Sequence, residues 1–251
     1  MIRTLRSEWF KLRTIRLHVW LPIGAIVLLL VVVGLVGILS SDPDTFTGSD
    51  VMSIIGGFTI LVGFVVGVVA ALGVASEFSH NTIRPTLAAT PDRTRVFVAK
   101  AIVSAIVGLA VGVISVIAAY LVGSILLNSR DASISLSGDD GSLAVFFGVP
   151  IFLMLLAIFG YGVGLLLRNA PAAVAVVILW PLLLETIIGL VLNVAGVERA
   201  ERVLPYSAGF QLLNTDIESG GVSRIYGGVY FACFALAITV AGIVINNRRD
   251  V

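Results

Sequence analysis

Charged residues, cysteine and histidine are all scarce in this chain. Of its 251 residues only 12% are charged, one is cysteine and two are histidine. The single cysteine, Cys233, excludes a disulfide framework and a cysteine metal centre within the chain. The net charge of +1 offers no electrostatic basis for binding a nucleic acid. We therefore expect no bound metal and no nucleic-acid partner.

The residues that intramembrane enzymes and ATPases require are also lacking. The two histidines, His18 and His80, lie in different polar stretches, which argues against a serine protease with a buried Ser and His pair. The H-E-x-x-H motif of a metalloprotease does not occur. Neither of the only two lysines, Lys11 and Lys100, belongs to a G-x-x-x-x-G-K-[ST] phosphate-binding loop. The sequence predicts no enzyme, and any ATP that drives this protein must bind to another chain.

Apolar residues are abundant instead, and they fall into long runs. Hydrophobic residues make up 58% of the chain, and the mean hydropathy is +1.08. A helix needs about 20 apolar residues to cross the hydrocarbon core of a bilayer, and the alternating segments of a transmembrane barrel do not occur. The sequence predicts an all-α integral membrane protein, a single transmembrane domain over residues 1–251, with six transmembrane helices near 19–39, 52–75, 95–127, 143–167, 172–194 and 226–246.

The distribution of basic residues predicts the orientation of these spans. Lys and Arg are retained on the cytoplasmic side of helical membrane proteins. If six spans alternate, one side of the membrane receives most of the basic residues, namely Arg3, Arg6, Lys11, Arg13, Arg16, Arg84, Arg93, Arg95, Lys100, Arg168, Arg248 and Arg249. The other side receives Arg130, Arg199, Arg202 and Arg224. Both termini are therefore expected in the cytoplasm.

The first seventeen residues have the pattern of a helix that lies on the membrane surface. Ile2, Leu5, Trp9 and Leu12 recur every three to four residues, and most of the basic residues lie off that face. An amphipathic helix over residues 2–17 would lie at the interface of the bilayer. The alternative is a simple positive-inside anchor with a Trp at the headgroup level. The candidate interfacial residues are Trp9, Lys11 and Arg13.

One ionisable residue lies inside a predicted span. Glu185 is in the fifth run, where a carboxylate costs on the order of 3 kcal/mol on insertion scales. Gly189 and Asn193 follow on the same side of that helix, and Pro181, one turn earlier, predicts a kink. Two interpretations stay open. The three residues are candidates for a gate or cavity wall on a transport route, or Glu185 is a hydrogen-bonded residue that fixes helix packing or a dimer contact.

Glycine pairs with a spacing of four recur in three of the spans. Such small residues allow the backbones of membrane helices to approach closely. Because the chain has 26 glycines, the pairs also arise easily by chance. They are weak evidence for helix packing and none for function. The pairs are Gly63 and Gly67, Gly108 and Gly112, and Gly160 and Gly164.

The loop at residues 76–93, "SEFSHNTIRPTLAATPDR", interrupts two apolar runs with charge. Asn81 is an N-cap residue type and predicts a short helix directly after it. Ile83 and Leu87 would share one face of that helix. The Thr-Pro pair that ends at Pro91 is a second helix start signal. We therefore expect a short helix in the loop and a third span that begins near Pro91, well before the membrane.

The amino-acid sequence of this loop resembles the segment between the second and third spans in permease subunits of type 2 ABC exporters. In that family an acidic residue and an aromatic end the second span, and a Gly or Asn, a Thr, a hydrophobic residue and an Arg follow. A P-x-R and an alanine-lysine pair come next. Here Asn81 stands where glycine is common. The segment "SEWFKLRT" at 7–14 is similar to actinobacterial members, and "LPYSAG" at 204–209 also fits the family.

The resemblance implies a membrane-spanning permease subunit of an ATP-driven exporter in the inner (cytoplasmic) membrane. It implies a second permease subunit, identical or different, and two separate ATP-binding cassette subunits that hold the ATP and Mg. Segment 195–225 would contain short re-entrant helices that close the exit. A proton-coupled carrier or channel that uses Glu185 is the alternative. The residues implied for ATPase coupling, through a cytoplasmic coupling helix, are Glu77, Phe78, Asn81, Thr82, Ile83, Arg84, Pro85, Leu87, Pro91 and Arg93.

Overall fold

The described part of the chain is helical and contains no strand. The computed structural model describes residues 7–10, 16–40, 46–83, 85, 92–130, 134–136, 140–197, 202–215 and 223–248. Among them, six helices are long and apolar enough to cross a membrane. They are α1 (Arg16–Leu39), α2 (Gly48–Ser79), α3 (Arg93–Asn128), α4 (Ser142–Leu167), a fifth span (Ala170–Val194) and a last span (Arg224–Arg248). The predicted all-α class with six spans is confirmed.

The fifth span is not one regular helix. It consists of α5 (Ala170–Leu179), a π-helical turn (Trp180–Glu185) and α6 (Thr186–Val194). Pro181 lies in the π-helical turn and has no N–H to donate to the preceding turn, so the α-helical ladder cannot continue through it. The kink predicted at this proline takes the form of a wide turn, a feature often found at functional sites.

Capping side chains define where α2 and α3 begin. Thr47 and Asp50 form a reciprocal capping box at the start of α2. Asp92 caps α3 and accepts a hydrogen bond from the backbone N–H of Arg95 at 3.0 Å. The third span thus begins two residues after the predicted start. Its 36 residues give a length of about 54 Å, so several turns of α3 project beyond a hydrocarbon core of about 30 Å.

The central helix of the bundle is α4. It packs against α2, α3 and the last span, and 61% of its most apolar window is buried, against 17% for the fifth span. The three glycine pairs lie at close helix crossings. A methyl group on Gly160 would collide with the carbonyl oxygen of Gly67, and one on Gly108 would lie 2.7 Å from the carbonyl oxygen of Leu153. The spacing therefore marks packing of α2 and α3 onto α4.

The segment between the fifth and last spans inserts into the bundle. Residues 202–215 contain α7 (Pro205–Phe210) and a 3₁₀ turn (Gln211–Leu213), and the last span is α8 (Arg224–Arg248). Most residues of α7 and the 3₁₀ turn are buried against α2, α4 and α8. This packing occurs at the end of the bundle opposite the 76–93 loop, where α2, α4 and α8 begin.

Candidate functional site

Three charged side chains meet where α2 ends and α3 begins. Glu77 lies in the last turn of α2, Lys100 in the second turn of α3, and Glu8 in the helical stretch 7–10. The Lys100 Nζ donates to Glu8 Oε2 at 2.5 Å and to Glu77 Oε1 at 2.6 Å. The exposed fractions of these side chains are only 6% for Lys100, 6% for Glu8 and 15% for Glu77. We call this cluster the ion triad.

The ion triad fixes the amino-terminal stretch to the loop-proximal ends of two spans. A buried ammonium or carboxylate needs a partner because removing it from water costs several kcal/mol. Glu8 is far from the other two residues in sequence, and its ion pair with Lys100 holds the stretch 7–10 against them. Movement of α2 or α3 at this end must therefore move residues 7–10 as well, or break a buried ion pair.

Phe78, next to Glu77, connects the same end to α4 and α8. The guanidinium of Arg168, in the turn after α4, lies 5.0 Å from the centre of the Phe78 ring, a cation–π distance. Arg168 Nε donates to Asn246 Oδ1 at 2.7 Å, and Asn246 Nδ2 donates to the carbonyl oxygen of Leu165 at 2.9 Å. Two neighbouring residues of the loop motif thus link this end of α2 to α3 through Lys100 and, through Arg168 and Asn246, to α4 and α8.

Asn81 ends α2 and does not start a new helix. Its φ is +57°, in the left-handed region that Gly adopts most easily and Asn more readily than other residues. An N-cap requires extended backbone, so the predicted capping role of Asn81 is wrong. The same geometry explains how Asn can stand where the family commonly has Gly. Ile83 and Pro85 are helical.

The remaining loop residues divide between the core and the surface. Ile83 is 1% exposed and belongs to the hydrophobic core, so it anchors the loop and is not available to a partner. Thr82 and Pro85 are exposed, and Arg93, the first residue of α3, is half-buried. The predicted coupling residues Arg84, Leu87 and Pro91 lie outside the described residues.

The stretch 7–10 turns one charged side chain inward and two aromatic ones outward. Glu8 is 5% exposed, whereas Trp9 is 38% and Phe10 is 54% exposed. Exposed aromatic residues of this kind suit the interface of a bilayer. Lys11 and Arg13 lie outside the described residues, and Arg16 is already the first residue of α1.

At the opposite end, Glu185 caps a helix. Its Oε1 accepts hydrogen bonds from Trp180 Nε1 at 3.0 Å and from the backbone N–H of Tyr206 at 2.8 Å. Its Oε2 accepts from the backbone N–H and the hydroxyl of Ser207, both at 2.8 Å. The N-cap residue of α7 is Leu204, which has no side-chain acceptor. Glu185, 2% exposed, supplies one from another helix.

Gly189 belongs to this contact, and Asn193 does not. A methyl group on Gly189 would lie 3.3 Å from a methyl carbon of Leu204, so the segment before α7 crosses close to α6 there. Asn193 is exposed and is the penultimate residue of α6. The structure therefore brings Glu185 and Gly189 against the 202–215 segment and leaves Asn193 at the surface.

Comparison with known protein families gives a match over most of the chain. Residues 4–180 match the model of the ABC-2 family transporter protein. The chain belongs to the ABC-2 transporter family. Members of this family are components of membrane transporters, and the six apolar helices make this one a multi-pass membrane protein. No curated protein matches the chain.

The site of this ABC-2 family chain includes residues that the sequence analysis did not select. Glu8, Arg168 and Asn246 were not predicted as site residues, and Lys100 was noted only as a basic residue and as part of the family motif. A signal existed for Lys100, because a lysine at the start of an apolar run needs an acidic partner and Glu77 stood in the same motif. Asn246 is 0% exposed yet lies near the carboxyl end of a span, so nothing in the sequence distinguishes it from a surface residue.

A metal site is not among the features of the described residues. No group of three or more His, Cys, Asp or Glu side chains that could hold a metal ion occurs in the parts of the chain that the structure describes.

Proposed function

We propose that this chain is the membrane-spanning permease subunit of an ATP-driven exporter. It forms the translocation path together with a second permease subunit, the same chain or a different one, and works with two separate ATP-binding subunits that hold ATP and Mg. It lies in the inner membrane with both termini in the cytoplasm. Membership of the ABC-2 family supports the permease role. The observation that carries the coupling proposal is the ion triad, which joins the amino terminus to the helix ends that flank the 76–93 loop.

In this mechanism the 76–93 loop receives the movement of the ATPase. The loop is rigidly connected to the bundle by the buried Ile83, by the ion triad and by the contact of Phe78 with Arg168. A push on the loop would therefore tilt α2 and α3 together with α4 and α8. The exposed positions 82 and 85 and the basic Arg84 are the proposed contacts with the ATPase.

The 202–215 segment is the proposed closure of the exit. It lies buried at the end of the bundle opposite the loop, and Glu185 holds the amino-terminal end of α7 to the π-helical turn. Opening the exit would require these hydrogen bonds to break or to move as a unit. Gly189 gives the segment room to pass α6, and Asn193 marks the mouth.

The second permease subunit is proposed to pack against the fifth span. Only 17% of the most apolar window of this span is buried, and its outward side chains form an apolar groove on either side of the π-helical turn. A path between two such faces would place Glu185 directly behind the interface. The groove is lined by Ala175, Val176, Leu179, Trp180, Leu183, Leu184, Ile187 and Ile188.

The carrier alternative gains no support from the surroundings of Glu185. A residue that carries protons must exchange them with water on both sides of the membrane. Glu185 is 2% exposed, and both of its oxygens accept hydrogen bonds from the chain itself. The geometry favours a role in holding α7 in place.

The experiment that tests the proposal measures ATP hydrolysis by the complex of this chain with the ATP-binding protein that copurifies with it. Arg84→Glu is expected to abolish the stimulation of hydrolysis by the permease while membrane insertion is retained. Arg202→Glu, at an exposed position of the 202–215 segment at the opposite end, is the matched control and should leave the stimulation intact. Absence of any copurifying ATP-binding protein, or equal stimulation in both variants, would contradict the proposal.

A further inference from the structure

A pocket lies beside the ion triad, between four spans of one subunit. It encloses about 530 Å³, its open mouth included. The pocket is narrow, and its walls are almost entirely apolar. Helices α1, α2 and α4 contribute Pro, Val, Ala and Gly residues to these walls, and Tyr161 of α4 is the exception. The residues that make its polar end are Glu8, Lys100 and Ser104.

At the polar end of the pocket, one hydrogen-bond donor of Lys100 has no acceptor among the described residues. An ammonium group has three N–H donors, and Lys100 uses one for Glu8 and one for Glu77. In the described part of the chain no acceptor meets the third. Lys100 is 6% exposed, so this donor faces the pocket and not bulk water. A buried donor without an acceptor is costly, and a ligand oxygen would satisfy it.

Ser104, on the same face of α3 as Lys100, is a second group with no hydrogen-bond partner among the described residues. Serines in these helices commonly donate to a carbonyl of the preceding turn, as Ser115 does to Val111 and Ser124 to Leu121. The hydroxyl of Ser104 makes no such bond within the described residues, although it lines the pocket. An ammonium donor and a free hydroxyl thus stand one turn apart at the end of an apolar cleft.

We propose that this pocket binds one linear, uncharged amphiphile with a hydroxyl headgroup. The ligand oxygen accepts from Lys100 and its hydroxyl hydrogen is donated to Ser104 or to the Glu8 carboxylate. The alkyl chain lies along the Val and Ala side chains of α2 and α3. With two carboxylates and one ammonium, the ion triad carries a net charge of −1 when all three groups are ionised, so an anionic headgroup is disfavoured. A cationic headgroup offers no acceptor to the third N–H of Lys100. The narrowness of the cleft favours a single alkyl chain.

The test is native mass spectrometry of the full chain in detergent with decan-1-ol, decylamine and decanoate. Decan-1-ol is expected to bind as one molecule per chain, more tightly than the other two. Ser104→Ala should weaken this binding about fivefold through the lost hydrogen bond. Ser124→Ala is the matched control on the same helix, because its hydroxyl already donates to Leu121, and it should bind like the wild type.

A pocket-filling variant provides an independent check. Val103→Trp should prevent binding, because Val103 is 3% exposed and lies in the pocket wall. Val113→Trp, at a 39% exposed position of the same helix, should not prevent it. Equal binding of the three decyl compounds, unsaturated binding of several alcohol molecules, or unchanged affinity in Ser104→Ala would overturn the proposal. These outcomes do not depend on whether Val103→Trp folds.

Discussion

At the scale of single residues, the described part of this chain buries few charged groups, and Glu8, Lys100 and Glu185 each have specific partners there. Lys100 lies between two carboxylates, and Glu185 receives four hydrogen bonds. A carboxylate near the amino-terminal end of a helix is also favoured by the helix dipole. Removing one partner of such a buried group lowers the free energy of unfolding by more than the interaction itself contributes. The partners that remain are left buried without a hydrogen bond or an opposite charge.

Glu185→Ala is expected to destabilise the protein by about 3 kcal/mol, because three buried or part-buried N–H donors and a hydroxyl lose their acceptor. Ser207→Ala removes only one of these bonds and should cost about 1 kcal/mol. Thermal unfolding of the purified chain in detergent measures both effects. Asn193→Ala, at an exposed position of the same span, is the control and should change little. If Glu185→Ala unfolds at the same temperature as this control, the capping role is wrong.

Single residues were partly predictable from sequence. Glu185 stood out because a carboxylate is rare in an apolar run, but two of its four hydrogen bonds come from the backbone N–H groups of residues 206 and 207. Every residue except proline has a backbone N–H, so no sequence pattern predicts which of these groups bind the carboxylate. Asn81 was wrongly interpreted as an N-cap, because Asn is common both as an N-cap and in the left-handed conformation that ends a helix.

At the scale of elements, helix length and helix contacts follow from different properties of the sequence. The spans begin and end within about four residues of the predicted bounds, because the number of apolar residues needed to cross a bilayer is fixed. The contacts depend on small residues: Gly160 and Gly164 allow α4 to approach the backbone of α2. The spacing indicated an approach, but many glycine pairs fit that spacing, so the partner helix could not be chosen from the sequence.

Gly160→Ala is expected to lower stability by about 1 to 3 kcal/mol, the usual cost of overpacking, because the new methyl group collides with the carbonyl oxygen of Gly67. Gly57→Ala is the matched control. An added methyl group there meets nothing within 4 Å, so the change should be neutral or stabilising through higher helix propensity. Thermal unfolding in detergent compares the two. Equal effects would contradict the close crossing of α2 and α4.

At the scale of the whole molecule, the two ends of the bundle are built differently. One end holds the ion triad and the contacts of Phe78 and Arg168. The other holds the buried 202–215 segment. Two rigid ends joined by long helices are suited to transmitting a displacement from one side of a membrane to the other. The sequence indicated the family likeness and the polar segments at the two ends. The contact between Glu8 and Lys100 could not be predicted from it, because the two residues meet only in the folded chain.

The measurement that tests the central claim most directly is photo-crosslinking in intact cells from a photoreactive residue at position 85, which is exposed in the loop. We expect a crosslink to a protein with a phosphate-binding G-x-x-x-x-G-K-[ST] loop. The same probe at Val197, exposed at the opposite end, should give no such crosslink. Crosslinks to the ATP-binding protein from Val197, or none from position 85, would contradict coupling through this loop.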